Sequence, residues 1–351
     1  MSRASTPAQY SPLQHVRQVY AHTVPVYDYA AMGQAGFTQW QAELRATVAS
    51  LLGGFSAPRA DLAPKVLATV QKDGYVQQKV EIASEAGVRL PLYVLKPDTG
   101  QSSYPTVIAL HGHGSGVQEV IGEPQDAQVA EHMRRCNHDY GRQLAQLGFL
   151  VFAPEQRAFG ERREMEDVAQ SPGQSSCRQA SMNALMLGRT MIGMRVWDVM
   201  RVIDYAEEYA NQAGLARSGS LACVGLSGGG TVTTFAAAMD PRITAAVISG
   251  YFCTWQWSIM AMRHCEDNYI PGILRHAEMA DIGALIAPRP LLIEAGTEDP
   301  IFPLPGVHDA YDKLADVYAM LEAPERLALD VFEGEHQWHG TLAVDWLRRW
   351  L

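Results

Sequence analysis

The stretch Val224–Val232, VGLSGGGTV, decides the fold class of this 351-residue chain. It contains the pattern G-x-S-x-G at residues 225–229, between the apolar run LACVGL and the helix-like run TTFAAAM. Glycines two residues before and after a serine let a strand turn sharply into a helix without side-chain collisions. We therefore predict Ser227 as a nucleophile at such a turn. The alternative is a glycine-rich strand-to-helix turn without chemistry.

Strand-like and helix-like runs alternate on both sides of this stretch. The strand-like runs are apolar on both faces, and they read TVIALHG, FLVFAPE, LACVGLS, ITAAVISG, LLIEAG and LALDVFEG. This alternation predicts an α/β protein with a mostly parallel sheet covered by helices. In such a sheet functional residues collect at the carboxyl ends of the strands.

The main domain is predicted to span residues 73–351. It begins with an antiparallel hairpin, because YVQQKVEIAS and VRLPLYVLKP both alternate with period two. Residues 1–72 are predicted to be a helical extension of helix and loop. The helix breakers in GGFSAPRADLAP place the boundary near Lys72.

Charge and composition argue against several classes of partner. The net charge is −10, and acidic and basic residues are interspersed, which argues against nucleic-acid binding. The longest apolar runs are strand-sized, and the N-terminal residues lack a secretory apolar stretch, so we predict no membrane association and a cytoplasmic location. The five cysteines are far apart and form no C-x-x-C pair, which indicates reduced, structural thiols.

A serine nucleophile needs a histidine base oriented by a carboxylate. The sequence supplies both after later strands, in the order serine, acid, histidine that this type of sheet uses. Asp299 follows LLIEAG, and His336 follows LALDVF. Glu298 and His339 are the alternatives for the two roles, but the proline-flanked loop favours Asp299, and the earlier position after the strand favours His336.

The reaction also needs hydrogen-bond donors for the oxyanion that forms during attack. The backbone N–H of Gly228 is one candidate, and the N–H of His113 in the loop ALHGHGSG is the other. His111 and His113 could instead bind zinc, but two histidines at this spacing are a weak signal. The glycines fit neither a dinucleotide loop nor a P-loop, so we expect no metal and no cofactor.

Two further stretches have open interpretations. The charged residues Arg157, Glu161 and Arg162 in RAFGERRE could line the site, although a solvated ion-pair network is the more common explanation. Met194, Trp197 and Met200 lie on a mostly apolar helix pattern and are predicted to be core residues.

The ordered motifs LHGHGSG, FAPEQRAFGERRE, LGRTMIGMRVWDVMRVIDYA, GLSGGG, GTEDPIFP and FEGEHQWHG resemble the α/β-hydrolase fold family. Within that family, they are similar to dienelactone hydrolase and acetyl xylan esterase-like enzymes. The resemblance implies Ser227, Asp299 and His336 as nucleophile, acid and base, with the amides of His113 and Gly228 as the oxyanion hole. Dienelactone hydrolases typically have a cysteine nucleophile, so the serine here favours ordinary carboxylic esters.

The sequence therefore predicts a serine esterase that cleaves small acyl esters of a sugar or an aryl alcohol. The expected partner is a small-molecule ester, and a homo-oligomer is possible. A peptidase or amide hydrolase on the same triad and a noncatalytic binding protein are the alternatives. Residues 251–287 occupy the place where this fold often inserts a cap. Their apolar side chains would either form a substrate pocket or pack on the sheet, and they are Trp255, Trp257, Met260 and Met262.

Overall fold

The computed structural model describes residues 10–29, 34–55, 58–170, 173–216 and 219–351. The described residues contain a nine-stranded sheet and twelve α-helices. The strands are β1 (Lys65–Lys72), β2 (Tyr75–Glu85), β3 (Val88–Pro97), β4 (Thr106–Leu110), β5 (Leu150–Pro154), β6 (Leu221–Leu226), β7 (Ala245–Ser249), β8 (Leu291–Gly296) and β9 (Leu327–Phe332).

The helices lie mainly between the later strands, as the alternating sequence pattern predicts. They are α1 (Pro12–Ala21), α2 (Phe37–Leu51), α3 (Val117–Val120), α4 (Ala127–Arg135), α5 (Tyr140–Gln146), α6 (Met165–Gln170), α7 (Cys177–Met186), α8 (Met191–Gln212), α9 (Gly228–Met239), α10 (Met279–Ala284), α11 (Leu304–Met320) and α12 (Thr341–Trp350). Among these described helices, none combines the length and apolar character that a membrane crossing requires.

The sheet has the strand order β1-β2-β3-β5-β4-β6-β7-β8-β9. The pairs from β5 to β9 are parallel, whereas β1, β2 and β3 pair antiparallel with their neighbours. This mostly parallel sheet confirms the predicted α/β class. The predicted hairpin is also confirmed, since β2 and β3 pair in register with Ile82 opposite Leu90.

The prediction of helix and loop up to Lys72 is wrong at its end. Residues Lys65–Lys72 form β1, the edge strand, which pairs antiparallel with β2. Most of this strand is exposed, so burial imposes no alternation of apolar and polar residues on its sequence. The division into residues 1–72 and 73–351 stays a prediction, and residues 1–9, 30–33 and 56–57 of the extension lie outside the described residues.

Helices cover both faces of the sheet and bury it in two apolar clusters. On one face α8, α9 and α11 pack on the strands, and α2 and α10 pack against α9, with Trp40 and Phe235 among the fully buried side chains. On the other face α3, α5 and α12 pack, with Tyr140 and Leu347 at the contact. The predicted core role of Trp197 on α8 is confirmed, and its indole N–H donates to the Ser84 carbonyl at 3.0 Å.

The segment 251–287 packs on the body of the protein and against the N-terminal extension. Trp255 is buried in the core, while Trp257 is 44% exposed and donates its indole N–H to Asp309 at 3.0 Å. The backbone N–H groups of Val26 and Tyr27 donate to the carbonyls of Arg275 and His276 at 3.1 and 2.9 Å. These backbone hydrogen bonds attach the segment to the N-terminal extension.

The charged stretch RAFGERRE forms an ion-pair network that is buried rather than solvated. The guanidinium groups of Arg157 and Arg162 both contact the carboxylate of Asp198, at 2.8 and 2.6 Å, and Arg157 also contacts Glu85. Burial opposes ionisation of Asp198, but the charges of Arg162 and Arg157 outweigh it and lower its pKa to about 2. This network fastens the loop after β5 to α8. Glu161 lies outside it and pairs with Lys79.

Two buried carboxyl groups give the folding stability a pH dependence near neutrality. Burial raises the pKa of Glu294 on β8 from 4.5 to about 7 and that of Asp281 on α10 from 3.8 to about 7. Above the ordinary pKa the unfolded chain releases these protons while the folded chain retains them. The free energy of unfolding therefore decreases as the pH rises from about 5 to about 7.

We expect the melting temperature to fall across this pH range. The variant Glu294→Gln removes one of the two titrating groups, so its melting temperature should fall with a shallower slope. Thermal unfolding followed by circular dichroism at several pH values measures both slopes. Equal slopes in the parent and in Glu294→Gln would contradict the assignment.

Candidate active site

Ser227 lies at the sharp turn between β6 and α9. Its backbone has φ 59° and ψ −120°, a conformation that a non-glycine residue rarely adopts. The turn is held by a hydrogen bond from the Ser227 N–H to the Ser249 carbonyl at 2.9 Å. A Cβ at Gly225 would collide with the backbone of Gly229, and a Cβ at Gly229 would collide with the Leu110 carbonyl. The two flanking glycines are therefore a steric requirement of this turn.

His336 and Asp299 meet at the carboxyl ends of β8 and β9. The Nδ1 atom of His336 lies 2.7 Å from Oδ2 of Asp299. The other oxygen of Asp299 accepts the backbone N–H groups of Ile301 and Phe302 at 2.8 and 3.0 Å, which fixes the carboxylate. The ring of Phe302 stacks on that of His336 with 5.7 Å between centroids. The imidazole is thus held on its Nδ1 side and on one face.

The remaining nitrogen of His336 is available for proton transfer. Nε2 is buried and has no hydrogen-bond partner among the described residues. His336 and Ser227 line the same cavity, whose volume is about 240 Å³. The described residues contain no hydrogen bond between these two side chains, so the relay between them stays a prediction. The cavity lining also includes His111, Gly112, His113, Glu119, Val120, His132, Arg135, Cys136, His138, Tyr140, Leu226, Pro300, Ile301 and Glu335.

The loop after β4 approaches the turn at Ser227 closely. A Cβ at Gly112 would lie 3.1 Å from Cβ of Ser227 and 3.6 Å from the backbone nitrogen of Gly228. A Cβ at Gly228 would lie 3.6 Å from the backbone nitrogen of His113. The two predicted oxyanion donors, His113 and Gly228, are therefore neighbours beside Ser227, and only glycine at position 112 permits this approach.

The side chain of His113 is held by residues that the sequence analysis did not identify. Its Nε2 lies 3.1 Å from Asp267, which also pairs with the fully buried Arg195 at 2.7 Å. The ring packs edge-on against Phe159, with 5.1 Å between centroids. Burial alone would lower the pKa of His113, but the Asp267 carboxylate outweighs it and raises the pKa to about 9. His113 is therefore cationic at neutral pH. No motif marks Asp267 in the sequence.

The alternative residues for the acid and the base have other partners. Nδ1 of His339 lies 2.7 Å from Asp330, and its ring stacks on Phe332. Glu298 is exposed, whereas Asp299 is buried against His336. The geometry thus brings together the residues preferred from the sequence, while their catalytic roles remain a proposal.

His111 and His113 do not converge on a common point. Nε2 of His111 accepts the Gln156 N–H at 3.0 Å and lies 3.0 Å from Glu155, whereas His113 faces Asp267. The two histidines of HGHGSG are therefore not arranged to bind one zinc ion, because each side chain contacts a different carboxylate.

The chain belongs to the abhydrolase family, whose model matches residues 4–332. This family assignment agrees with the nine-stranded sheet, the serine turn and the order of the motifs along the chain.

Two relatives and one solved structure illustrate the resemblance. The chain is 25% identical over 319 residues to "Putative hydrolase YtaP" of Bacillus subtilis, covering 89% of this chain and 100% of that protein. It is 27% identical over 203 residues to "Putative carboxymethylenebutenolidase" of Methylorubrum extorquens, covering 56% and 57% of the two chains. A solved structure from Bacteroides fragilis, described as a "putative acetyl xylan esterase", has a TM-score of 0.82 at 19% identity, covering 97% of this chain and 95% of that one. The printed names of these proteins agree with the predicted similarity to dienelactone hydrolase and acetyl xylan esterase-like proteins, and the solved structure, at 19% identity, shows the shared fold.

Proposed function

We propose that the protein is a serine hydrolase that cleaves carboxylic esters through Ser227, His336 and Asp299. One observation carries this proposal. His336, whose Nδ1 is held by Asp299 and whose Nε2 has no hydrogen-bond partner among the described residues, lines the same cavity as Ser227, a serine on a strained strand-to-helix turn. The membership of the abhydrolase family supports the same reaction class.

In the first step Nε2 of His336 accepts the proton of the Ser227 hydroxyl while the serine oxygen attacks the ester carbonyl. Asp299 keeps Nδ1 protonated and stabilises the imidazolium that forms. The alcohol leaves with the proton from His336, and the acyl group remains on Ser227. In the second step His336 deprotonates a water molecule, whose oxygen attacks the acyl carbon, and the proton then passes from His336 to the departing Ser227 oxygen as the acid is released.

The negative charge on the carbonyl oxygen is stabilised by the N–H groups of His113 and Gly228. Gly228 is the first residue of α9, so its N–H is not used inside the helix and lies at the positive end of the helix dipole. The cationic imidazole of His113 adds a positive charge close to the same place. Each donor of this kind contributes about 3–4 kcal/mol to stabilisation of the transition state.

The substrate is a small acyl ester of a sugar or an aryl alcohol. A cavity of about 240 Å³ accommodates a short acyl group and part of an alcohol. His132, Arg135 and Glu335 provide polar groups in the lining, which suit a hydroxylated alcohol. The fold similarity to the structure described as a "putative acetyl xylan esterase" supports this class.

A panel of matched substrates tests this proposal. We expect hydrolysis of p-nitrophenyl acetate and of acetylated monosaccharides, with kcat/KM falling as the acyl chain lengthens from acetyl to octanoyl. The corresponding acetamides are the matched controls, because they differ from the esters in the bond that is cleaved. They should react far more slowly. Faster cleavage of the amides than of the esters would favour the peptidase or amide hydrolase alternative. An absence of turnover on the whole panel would favour a noncatalytic protein.

We also propose a cytoplasmic location, which the absence of disulfides supports. The structure describes all five cysteines as unpaired, as is usual in a reducing compartment. The homo-oligomer stays a prediction, and sedimentation analysis would test it.

The contact between Asp267 and His113 predicts that a substitution of Asp267 lowers kcat. In Asp267→Asn the imidazole of His113 loses its charged partner, so the oxyanion loop is held less firmly and the positive charge beside it is lost. We expect kcat to fall by about tenfold or more, because an oxyanion donor that is out of place loses much of its effect. Steady-state kinetics on p-nitrophenyl acetate measures kcat and KM separately.

The control for this variant is Glu266→Gln, which neutralises the adjacent carboxylate. Glu266 pairs with the exposed Arg178 and does not contact His113. We expect its kcat to match that of the parent, and circular dichroism should show that both variants are folded. Equal kcat in Asp267→Asn and the parent would exclude a role for this pair in positioning the loop.

A further inference from the structure

We propose a binding site for Zn²⁺ formed by His132, Cys136 and His138 in the wall of the cavity that contains Ser227. The ligand atoms of these three side chains lie within 4.8 Å of one another. All three residues line the cavity. The sequence motif is H-x3-C-x-H at residues 132–138, and the proposal departs from the expectation of no metal, which considered only His111 and His113.

The local backbone explains why these side chains meet. His132 lies in the last turn of α4, and Cys136 follows four residues later at the end of the helix, so both are on one face. Asn137 adopts a left-handed conformation with φ 53°, which turns the chain back and returns His138 towards the same side. The rings of His132 and His138 lie 5.0 Å apart at right angles.

The distances suit a tetrahedral zinc ion. Zinc binds cysteine sulfur at about 2.3 Å and histidine nitrogen at about 2.0–2.1 Å, which places a sulfur and a nitrogen ligand about 3.6 Å apart. The observed distance from Nδ1 of His132 to Sγ of Cys136 is 3.7 Å. Only a small rearrangement is needed to form these two bonds. Arg135, an exposed side chain 3.4 Å from the same nitrogen, would move away.

The third ligand already has the support that zinc-bound histidines usually have. Nδ1 of His138 lies 2.5 Å from the carboxylate of Glu119, which leaves Nε2 as the atom that can bind a metal. Glu119 is itself buried and accepts the N–H and the hydroxyl of Ser115 at 2.6 and 2.8 Å. A carboxylate behind a histidine ligand orients the ring and increases its basicity.

Three protein ligands leave the fourth position of the ion to a water molecule or another oxygen ligand from the cavity. The backbone also connects this site to the loop of His336, because the Trp338 N–H donates to the Cys136 carbonyl at 3.1 Å. The proposal that zinc binds here does not depend on the proposed function. Only the statement that the ion would lie beside reacting groups rests on it.

A second cluster of possible ligands is less suited to a metal. His113, Cys177, Cys265 and Asp267 also lie within 4.8 Å of one another. However, the buried guanidinium of Arg195 already contacts Asp267 at 2.7 Å and Cys177 at 3.3 Å, so a positive charge occupies this environment. A dication there would have to displace or face that charge.

Titration of the purified chain with Co²⁺, followed by displacement with Zn²⁺, tests the site without any substrate. Cobalt bound to a thiolate gives a charge-transfer absorption band, so the spectrum shows directly whether a cysteine sulfur binds the metal. We expect one Co²⁺ per chain, and we expect Zn²⁺ to abolish the band. Cys136→Ser should lose the band, whereas the matched control Cys265→Ser should keep it. Because no substrate is present, this test can fail independently of the esterase proposal.

His132→Ala provides a second variant in case Cys136→Ser fails to fold, since His132 is exposed and its loss leaves the core intact. We expect its Co²⁺ affinity to fall by about tenfold or more. His15→Ala, which removes an exposed histidine on α1, should bind Co²⁺ as the parent does. No thiolate band in the parent, a band that survives in Cys136→Ser, or unchanged affinity in His132→Ala would each overturn the proposal.

Discussion

The variant Ser227→Ala will lose esterase activity by about 10⁶-fold in kcat, because it removes the oxygen that attacks the ester carbonyl. The substitution removes a single hydroxyl group. It leaves the backbone bond from residue 227 to Ser249 and the flanking glycines unchanged. We therefore expect the melting temperature and the circular dichroism spectrum of the variant to match those of the parent. Initial rates on p-nitrophenyl acetate measure the loss.

Ser115→Ala is the matched control for this experiment. Ser115 also lies in a loop after a parallel strand, but its hydroxyl is committed to Glu119 and the G-x-S-x-G pattern does not include it. We expect Ser115→Ala to keep activity of the same order as the parent. A Ser227→Ala variant with near-parental kcat would remove Ser227 from the mechanism.

The second large effect concerns stability. Asp198→Ala will lower the free energy of unfolding by about 3–5 kcal/mol, because it leaves buried arginine charges without their partner. Arg157 and Arg162 both contact this carboxylate, and all three side chains are largely buried. The same change removes the acceptor of the Ser84 hydroxyl. Urea unfolding followed by circular dichroism measures the difference.

Glu161→Ala is the matched control, since Glu161 belongs to the same charged stretch but pairs with Lys79 on the surface. An exposed ion pair of this kind contributes about 0–1 kcal/mol. A cost for Asp198→Ala as small as the cost for Glu161→Ala would show that the buried network does not hold the loop after β5.

Most of the site was predictable from the sequence because its residues occur in short motifs with a fixed chain order. Gly225 and Gly229 mark the turn around Ser227 for a steric reason that is local in the chain. Asp299 and His336 follow strands, and parallel strands bring their carboxyl ends to one edge whatever the details of packing. These features depend on backbone geometry over a few residues.

The features that the sequence did not reveal depend on contacts between distant residues. Asp267 is 154 positions from His113, and nothing in its neighbourhood distinguishes it from a surface carboxylate. The burial of Arg157 was also missed, because an ion-pair network has the same sequence pattern inside the protein as on its surface. The exposed strand β1 has no apolar alternation by which it could be recognised.

Residues 251–287 are a further region whose packing could not be predicted from the sequence. The sequence left open whether the apolar residues of this segment line a pocket or pack on the sheet. The structure places Trp255 in the core, and the residues that line the cavity of Ser227 come from other parts of the chain. The segment instead contributes Asp267, a polar residue, to the support of the site.

Labelling with a fluorophosphonate, followed by intact mass and peptide mapping, tests the central claim most directly. The phosphonate reacts only with a serine whose proton is accepted by a neighbouring base, so it reports on Ser227 and His336 together. We predict one adduct per chain, located on Ser227, and a much slower reaction in His336→Ala. An adduct on another residue, or no adduct on the folded parent protein, would contradict the account.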